Sequence, residues 1–358
     1  MLSRVADSLY WMSRYFERAD HCARVLEANY NLMLNPSKLS TEERWHRIMA
    51  SLGIAAAANG IDPQMAMIKL TSDPDDESSI VSCIAESREN AGQVREQISS
   101  EMWERLNSLY HQVTQANSRL GPDSDPLRLV AAVREGSYQF HGVTDATMNH
   151  GEGWHFIQLG KYMERSCALP VLLDAYFSAA GKVDDLDWVG LLASCAAFES
   201  YCKVYTAELK PDSMAEFLLL NPEFPYSVRY AVERMSAAIA AISETSFKHA
   251  TGRIERIAGR LRAFLAYAQI ADIMSGGLRR YLDSVVEQCK GLHAAVHEVY
   301  IDYPIQLALD VYKRQLWGSP PVCAGPPGPL FARRIKCLDG RDSRRGRRPV
   351  TSAYPAGP

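Results

Sequence analysis

The stretch "SRYFERA", residues 13–19, returns as "GKYMERS", residues 160–166. In the first segment Leu2, Val5, Leu9, Met12, Phe16, Ala19, Ala23, Leu26, Tyr30 and Met33 are apolar or small, in an unbroken rhythm of three and four. That rhythm keeps every marked side chain on one stripe of an α-helix, so the segment reads as a long helix with a core seam. Asn35-Pro36 ends it, because the residue before a proline is pushed out of the helical region. A shift of 147 residues, Arg14 to Lys161, carries Leu9, Met12, Phe16, Ala19, Ala23, Leu26 and Tyr30 onto Phe156, Leu159, Met163, Ser166, Pro170, Leu173 and Phe177. The seam keeps its phase, and only Pro170 is out of character, so a kink is expected there. "DPDDESSIVSCIAE" from Asp73 is echoed at nearly the same offset by "NPEFPYSVRYAVER" from Asn221. Two echoes at one offset predict an internal repeat.

The rest of the body also reads as helix. From Ile80 onward Ala91, Val94, Ile98, Met102, Leu106, Leu109 and Val113 share one stripe, and Asp/Ser residues before Ile80 are placed to cap its start. Further helices are expected near 40–57, 126–141, 184–207, 225–248, 251–273 and 277–301, with "SGGL" at 275–278 separating the last two. No alternating strand pattern stands out. The expected fold class is all-α, a helical bundle of two pseudo-repeated halves, about 1–146 and 147–305.

Composition narrows the function classes. Hydrophobic residues make up 47% of the chain, enough for a sizeable core. The eight cysteines include no C-x-x-C pair, which suits thiols in a reducing compartment. The first twenty residues carry charges throughout and contain no apolar signal core, and no uncharged apolar run approaches a membrane span. The expectation is a soluble cytoplasmic protein. From Asp310 to Pro358 there are ten basic and three acidic residues, a net of +7. The first 309 residues hold 29 basic against 39 acidic, a net of −10, and so acidic a body is a poor nucleic-acid binder.

Residues 306–358 break the helical pattern with prolines and arginines and are expected to form a tail outside the domain. "DVYKRQ", residues 310–315, resembles a translated sequencing adapter, whose GAT GTG TAT AAG AGA CAG encodes those six residues. The authentic sequence is therefore expected to end before Asp310.

On the first helix Arg14, Glu17 and Arg18 fall on the face opposite the seam, and Lys161, Glu164 and Arg165 do the same in the second copy. Core packing does not require a repeated cation-acid-cation trio. One reading is an ion-pair lattice, either solvated or holding the halves together. The other is a pair of arginine-rich patches that bind an anionic group or a partner's carboxylates, which the planar guanidinium grips with two hydrogen bonds. "RENAGQVREQ" offers a related set, Arg88 and Arg95 seven apart with Glu89 and Glu96 in the same register. Glu43-x-x-His46 and Glu152-x-x-His155 resemble half of a di-iron motif, but such spacings arise by chance and no metal site is expected. His293 and His297 share a helix face and read as ordinary polar positions. There is no Walker loop, dinucleotide fingerprint, G-x-S-x-G or nucleophile-base pair, so no cofactor is expected.

"MLSRVADSLYWMSRYFERAD", "SSIVSCIAESRENAGQVREQISSEMWERLN" and "GEGWHFIQLGKYMERS" together resemble the bacterial alpha-E domain family, over Met1 to about Ile301. The resemblance implies an all-α fold without a settled activity. It also implies association with circularly permuted ATP-grasp proteins and transglutaminase-like proteins in making or processing a modified peptide. Three expectations follow. The chain is a non-catalytic accessory or scaffold for such a ligase, holding the partner or a peptide. Alternatively it is an enzyme that uses Glu17 and Glu164 with their arginines. Or it is a purely structural bundle.

Overall fold

The computed structural model describes residues 1–33, 35–36, 38–55, 62–118, 126–178, 183–206, 208–245 and 251–301. Among these residues there are fourteen α-helices and no strand. They are α1 (Ser3–Leu32), α2 (Thr41–Ser51), α3 (Pro63–Thr71), α4 (Ile80–Gln93), α5 (Ser100–Ser118), α6 (Pro126–Thr147), α7 (Glu152–Phe177), α8 (Asp185–Ser194), α9 (Phe198–Tyr205), α10 (Pro211–Leu220), α11 (Val228–Thr245), α12 (Thr251–Ala266), α13 (Ile270–Gly276) and α14 (Leu278–Val296). The chain divides into two units, 1–307 and 308–358. The expected tail and the adapter-like "DVYKRQ" lie outside the described residues.

The two helices that carry the repeated phrase are packed on each other at the centre. α4 and α6 cover α1, and α11 and α14 cover α7. The short helices cross over, α2 packing on α7 and α8 on α1. The seam residues Leu9, Met12, Phe16, Ala19, Ala23 and Leu26 are buried, as are Phe156, Leu159, Met163, Ser166 and Leu173 on α7. α7 continues through Pro170 without ending.

The contact of α1 with α7 depends on small residues. Gly160, which opens the second phrase, brings its backbone against the carbonyl oxygen of Tyr10. Ser13, which opens the first, donates its hydroxyl to the Ile157 carbonyl at 2.7 Å. At the adjacent residue, Ser87 on α4 donates to the Met12 carbonyl at 2.9 Å. These hydroxyls tie helix to helix without holding the backbones apart.

Where one continuous helix from Ile80 was expected, there are two. α4 starts at its Ser79 cap, which accepts the Ser82 N–H at 3.2 Å, and stops at Gln93. A 3-10 turn at 95–97 follows, and Ile98 is extended. Ser99 then accepts the Met102 N–H at 3.1 Å and starts α5. The apolar stripe survives the break because Val94 and Ile98 remain buried. A serine cap competes with helix continuation, and a uniform stripe does not reveal it. The expected 184–207 helix is likewise split after Cys195, where Ala196 takes a positive φ of 48°. α3 and α10 were not anticipated.

α2 is held by a capping box: the Ser40 hydroxyl accepts the Glu43 N–H at 3.2 Å, and the Glu43 carboxylate accepts the Ser40 N–H at 3.0 Å. Ser40→Ala removes one of these bonds and is expected to cost about 1 kcal/mol, read as a lower urea midpoint.

Candidate functional site

The trios lie opposite their seams, but most of their face is buried, with Arg18 and Lys161 half-buried at its margin. A polar face at the centre of a bundle is desolvated by its neighbours, and its charges then need partners. Arg14 and Glu17 are each 2% exposed, Arg165 4% and Glu164 8%. The partners come from the other phrase. Glu164 accepts from Arg14 Nε on one oxygen and from Arg18 Nε on the other, both at 2.7 Å. Glu17 accepts from Arg165 Nε at 2.6 Å. Each glutamate of an "ER" pair therefore binds the arginine of the opposite pair. Asn29 and Tyr176, also related by the 147-residue shift, meet in the same way at 2.8 Å.

Electrostatics locks this arrangement. Burial alone would raise the Glu164 carboxyl, but Arg14 and then Arg18 overcome it and bring its pKa to about 2. Glu17 is desolvated too, yet Arg165 holds its carboxyl well below the usual range. Both glutamates are carboxylates at any physiological pH.

Aromatic rings and two histidines complete the cluster. Arg14 lies over the Trp11 ring at 4.9 Å, and its Nη1 is 3.2 Å from His293 Nδ1. The same His293 nitrogen meets the Tyr10 hydroxyl at 2.8 Å. His293, expected to be an ordinary polar residue, thus belongs to the buried network. Burial, then the charge of Arg14, depresses its pKa to about 2 and keeps it neutral. Around Glu17, Arg165 donates Nη1 to the Pro225 carbonyl at 2.9 Å and stacks on Tyr226 at 3.8 Å. His141 on α6 places Nε2 3.6 Å from Glu17, and burial with the charge of Lys161 lowers its pKa to about 4.

α1 extends the network with Asp20 and Arg24, which pair at 2.7 Å, and Asp20 also accepts from the Tyr226 hydroxyl at 3.1 Å. Neither was singled out from the sequence. The signal was present: Arg14, Glu17, His21 and Arg24 continue one polar stripe at spacings of three and four.

Lys161 stands apart. It occupies the position equivalent to Arg14, is half-buried, and among the described residues has no carboxylate within 4.0 Å. Burial and the adjacent Arg165 bring its pKa down to about 8.

The Arg88 set does not join the site. The helix ends before Arg95, so the expected common register of Arg88 with Arg95, and of Glu89 with Glu96, is lost. Arg88 instead clamps α4 to α5, donating to Asn107 at 2.7 Å and lying over Tyr110 at 4.6 Å. Arg95 lies over Trp103 at 5.6 Å, and Glu89 is exposed. Glu43 is taken up in the α2 cap. Among the described residues no group of three His, Cys, Asp or Glu side chains is placed to hold a metal ion, and the six cysteines described are free thiols. No helix among them is long and apolar enough to cross a membrane.

A family model, Alpha-E, described as a predicted alpha-helical domain with a conserved ER motif, matches residues 1–301. Of the six Glu-Arg pairs in the sequence, Glu17-Arg18 and Glu164-Arg165 are the ones that exchange partners across α1 and α7. Uncharacterized proteins of Mycobacterium bovis and Mycobacterium tuberculosis are 26% identical to this chain over 342 residues. The match covers 88% of the chain but 38% of each relative, so the chain spans well under half of their length. No solved structure matches.

Proposed function

We propose that this chain, which belongs to the Alpha-E family, is a non-catalytic helical scaffold. It acts with an ATP-grasp peptide ligase or a transglutaminase-like protein in making or processing a modified peptide. The observation that carries the non-catalytic part is the locking of Glu17 and Glu164. A general acid or base works when its pKa lies near the operating pH and its oxygens can reach substrate. These carboxylates sit far below that range, and both are engaged by arginines of the opposite helix. The alternative enzyme reading, which rests on these glutamates, loses its acid-base groups. The partner class follows from the family resemblance. It fits a domain whose relatives carry most of their length elsewhere. In this reading the chain is a cytoplasmic protein, and the reciprocal ER exchange joins two halves of an internal repeat into one rigid body.

The test is co-expression of the tagged chain with the ATP-grasp protein encoded nearest to it, followed by size-exclusion chromatography. The expected result is a stable complex that turns over ATP, while the chain alone does not. Failure to associate, together with turnover by the chain alone, would overturn the reading in favour of an enzyme.

A further inference from the structure

The two phrases are matched in sequence and in formal charge but not in pairing. On the Glu164 side both cations reach the carboxylate. On the Glu17 side only Arg165 does, and the second cation, Lys161, is left over. The charges that bear on Lys161 are Glu17, Asp20 and Arg24 from α1 and Arg165 from its own helix. His141 faces it from α6 as a neutral ring, and the Tyr226 hydroxyl is bound to Asp20. Three cations thus stand against two carboxylates, a surplus of one positive charge.

The floor of this cluster also holds polar atoms without a partner. Arg24 is 2% exposed and Asp20 fully buried, yet Arg24 Nη1 and Asp20 Oδ1 find no hydrogen bond. The same holds for Glu17 Oε2 and His141 Nε2, which face each other beyond hydrogen-bond reach at 3.6 Å. Buried polar atoms are nearly always satisfied, by protein, water or a bound group, so each of these four needs a partner from outside the described side chains. Four such atoms lie beside one surplus cation. Around them Lys161, His141 and Tyr226 are only half-buried and Tyr138 is exposed. Arg24 lies over both tyrosine rings, at 4.4 Å from Tyr226 and 5.5 Å from Tyr138.

We propose that Lys161, with His141, Arg24 and the rings of Tyr138 and Tyr226, forms a binding site for a carboxylate monoanion of a peptide. One negative charge neutralises the surplus, whereas a phosphate dianion overshoots it. The carboxylate pairs with the Lys161 ammonium and supplies the acceptor that His141 Nε2 and Arg24 Nη1 lack. Asp20 Oδ1 is left to accept an N–H of the same ligand. The inference concerns this chain by itself and holds whichever protein the scaffold serves.

The experiment is calorimetric titration of the full chain with three probes. They are acetyl-Gly-Ala-Ala with a free C-terminus, acetyl-Ala-Asp-Ala-amide, and inorganic phosphate. One of the two peptides is expected to bind, and which one identifies the source as a chain end or an acidic side chain. Phosphate is expected to bind at least tenfold more weakly. Binding should weaken at least tenfold between pH 7 and pH 9.5 as Lys161 loses its proton, a readout that needs no variant. Lys161→Met should weaken it at least tenfold, and Lys161→Arg should retain it within about threefold, each with an unchanged helical circular dichroism spectrum. The proposal is overturned if neither peptide binds, if phosphate binds more tightly than both, or if binding is indifferent to pH and to Lys161→Met.

Discussion

Glu164→Gln is expected to destabilise the fold by about 3–5 kcal/mol, the usual cost of breaking a buried ion pair from one side. The substitution keeps the shape of the side chain and removes only its charge. The buried Arg14 guanidinium and the part-buried Arg18 guanidinium then lose the carboxylate that they share. Glu17→Gln should be costly for the same reason through Arg165. Urea denaturation measures the effect. A loss below about 1 kcal/mol, the level of an exposed pair, would show that the network is not desolvated as described. The same linkage sets the acid limit. Glu164 binds its proton more weakly folded than unfolded, so the unfolded chain takes up protons first as the pH falls. The stabilisation is complete above the ordinary carboxyl value of 4.5 and is lost as the pH falls from there toward about 2. In Glu164→Gln that part of the acid dependence should be absent.

Gly160→Ala is expected to be the most damaging single-methyl substitution on α7. A Cβ there would fall inside van der Waals contact with the Tyr10 carbonyl oxygen, and it would meet the Ser13 side chain at 3.2 Å. The first obstacle is backbone, so no rotamer change relieves it, and the helices must separate. Overpacking of this kind costs about 3 kcal/mol, and separation also lengthens the Glu164–Arg18 and Glu17–Arg165 pairs. Gly190→Ala is the control. Its Cβ would meet the tip of the Leu32 side chain at 2.7 Å, an atom that can swing aside. The two thermal midpoints should therefore differ by several degrees, with Gly160→Ala the lower.

Much of the fold was legible in the residues themselves. The three-and-four rhythm placed α1 and α7 and named their buried seams, because helix geometry fixes which side chains share a stripe. Asn35-Pro36 and Ser79 marked boundaries through local backbone chemistry. The breaks at Gln93 and Cys195 were hidden, since a stripe that stays buried across a turn looks continuous in sequence. For the candidate site, the repeated phrase singled out Arg14, Glu17, Arg18, Lys161, Glu164 and Arg165, while Asp20, Arg24, His141, His293 and Tyr226 went unmarked. Asp20 and Arg24 form a pair four apart that is visible in the sequence but common on any helix. The others lie on α6, α14 and the approach to α11, and their relevance depends on packing.

The sequence by itself determined an all-helical body with two charged phrases, each opposite an apolar seam. The tertiary structure decided that those faces meet each other and are mostly buried, and that each glutamate takes its arginine from the other phrase. It also decided that Lys161 has no carboxylate within 4.0 Å among the described residues. Periodicity is a property of one helix and reports which residues share a face. Whether that face is desolvated depends on a second helix some 150 residues away, and so does the ionisation of every charge on it.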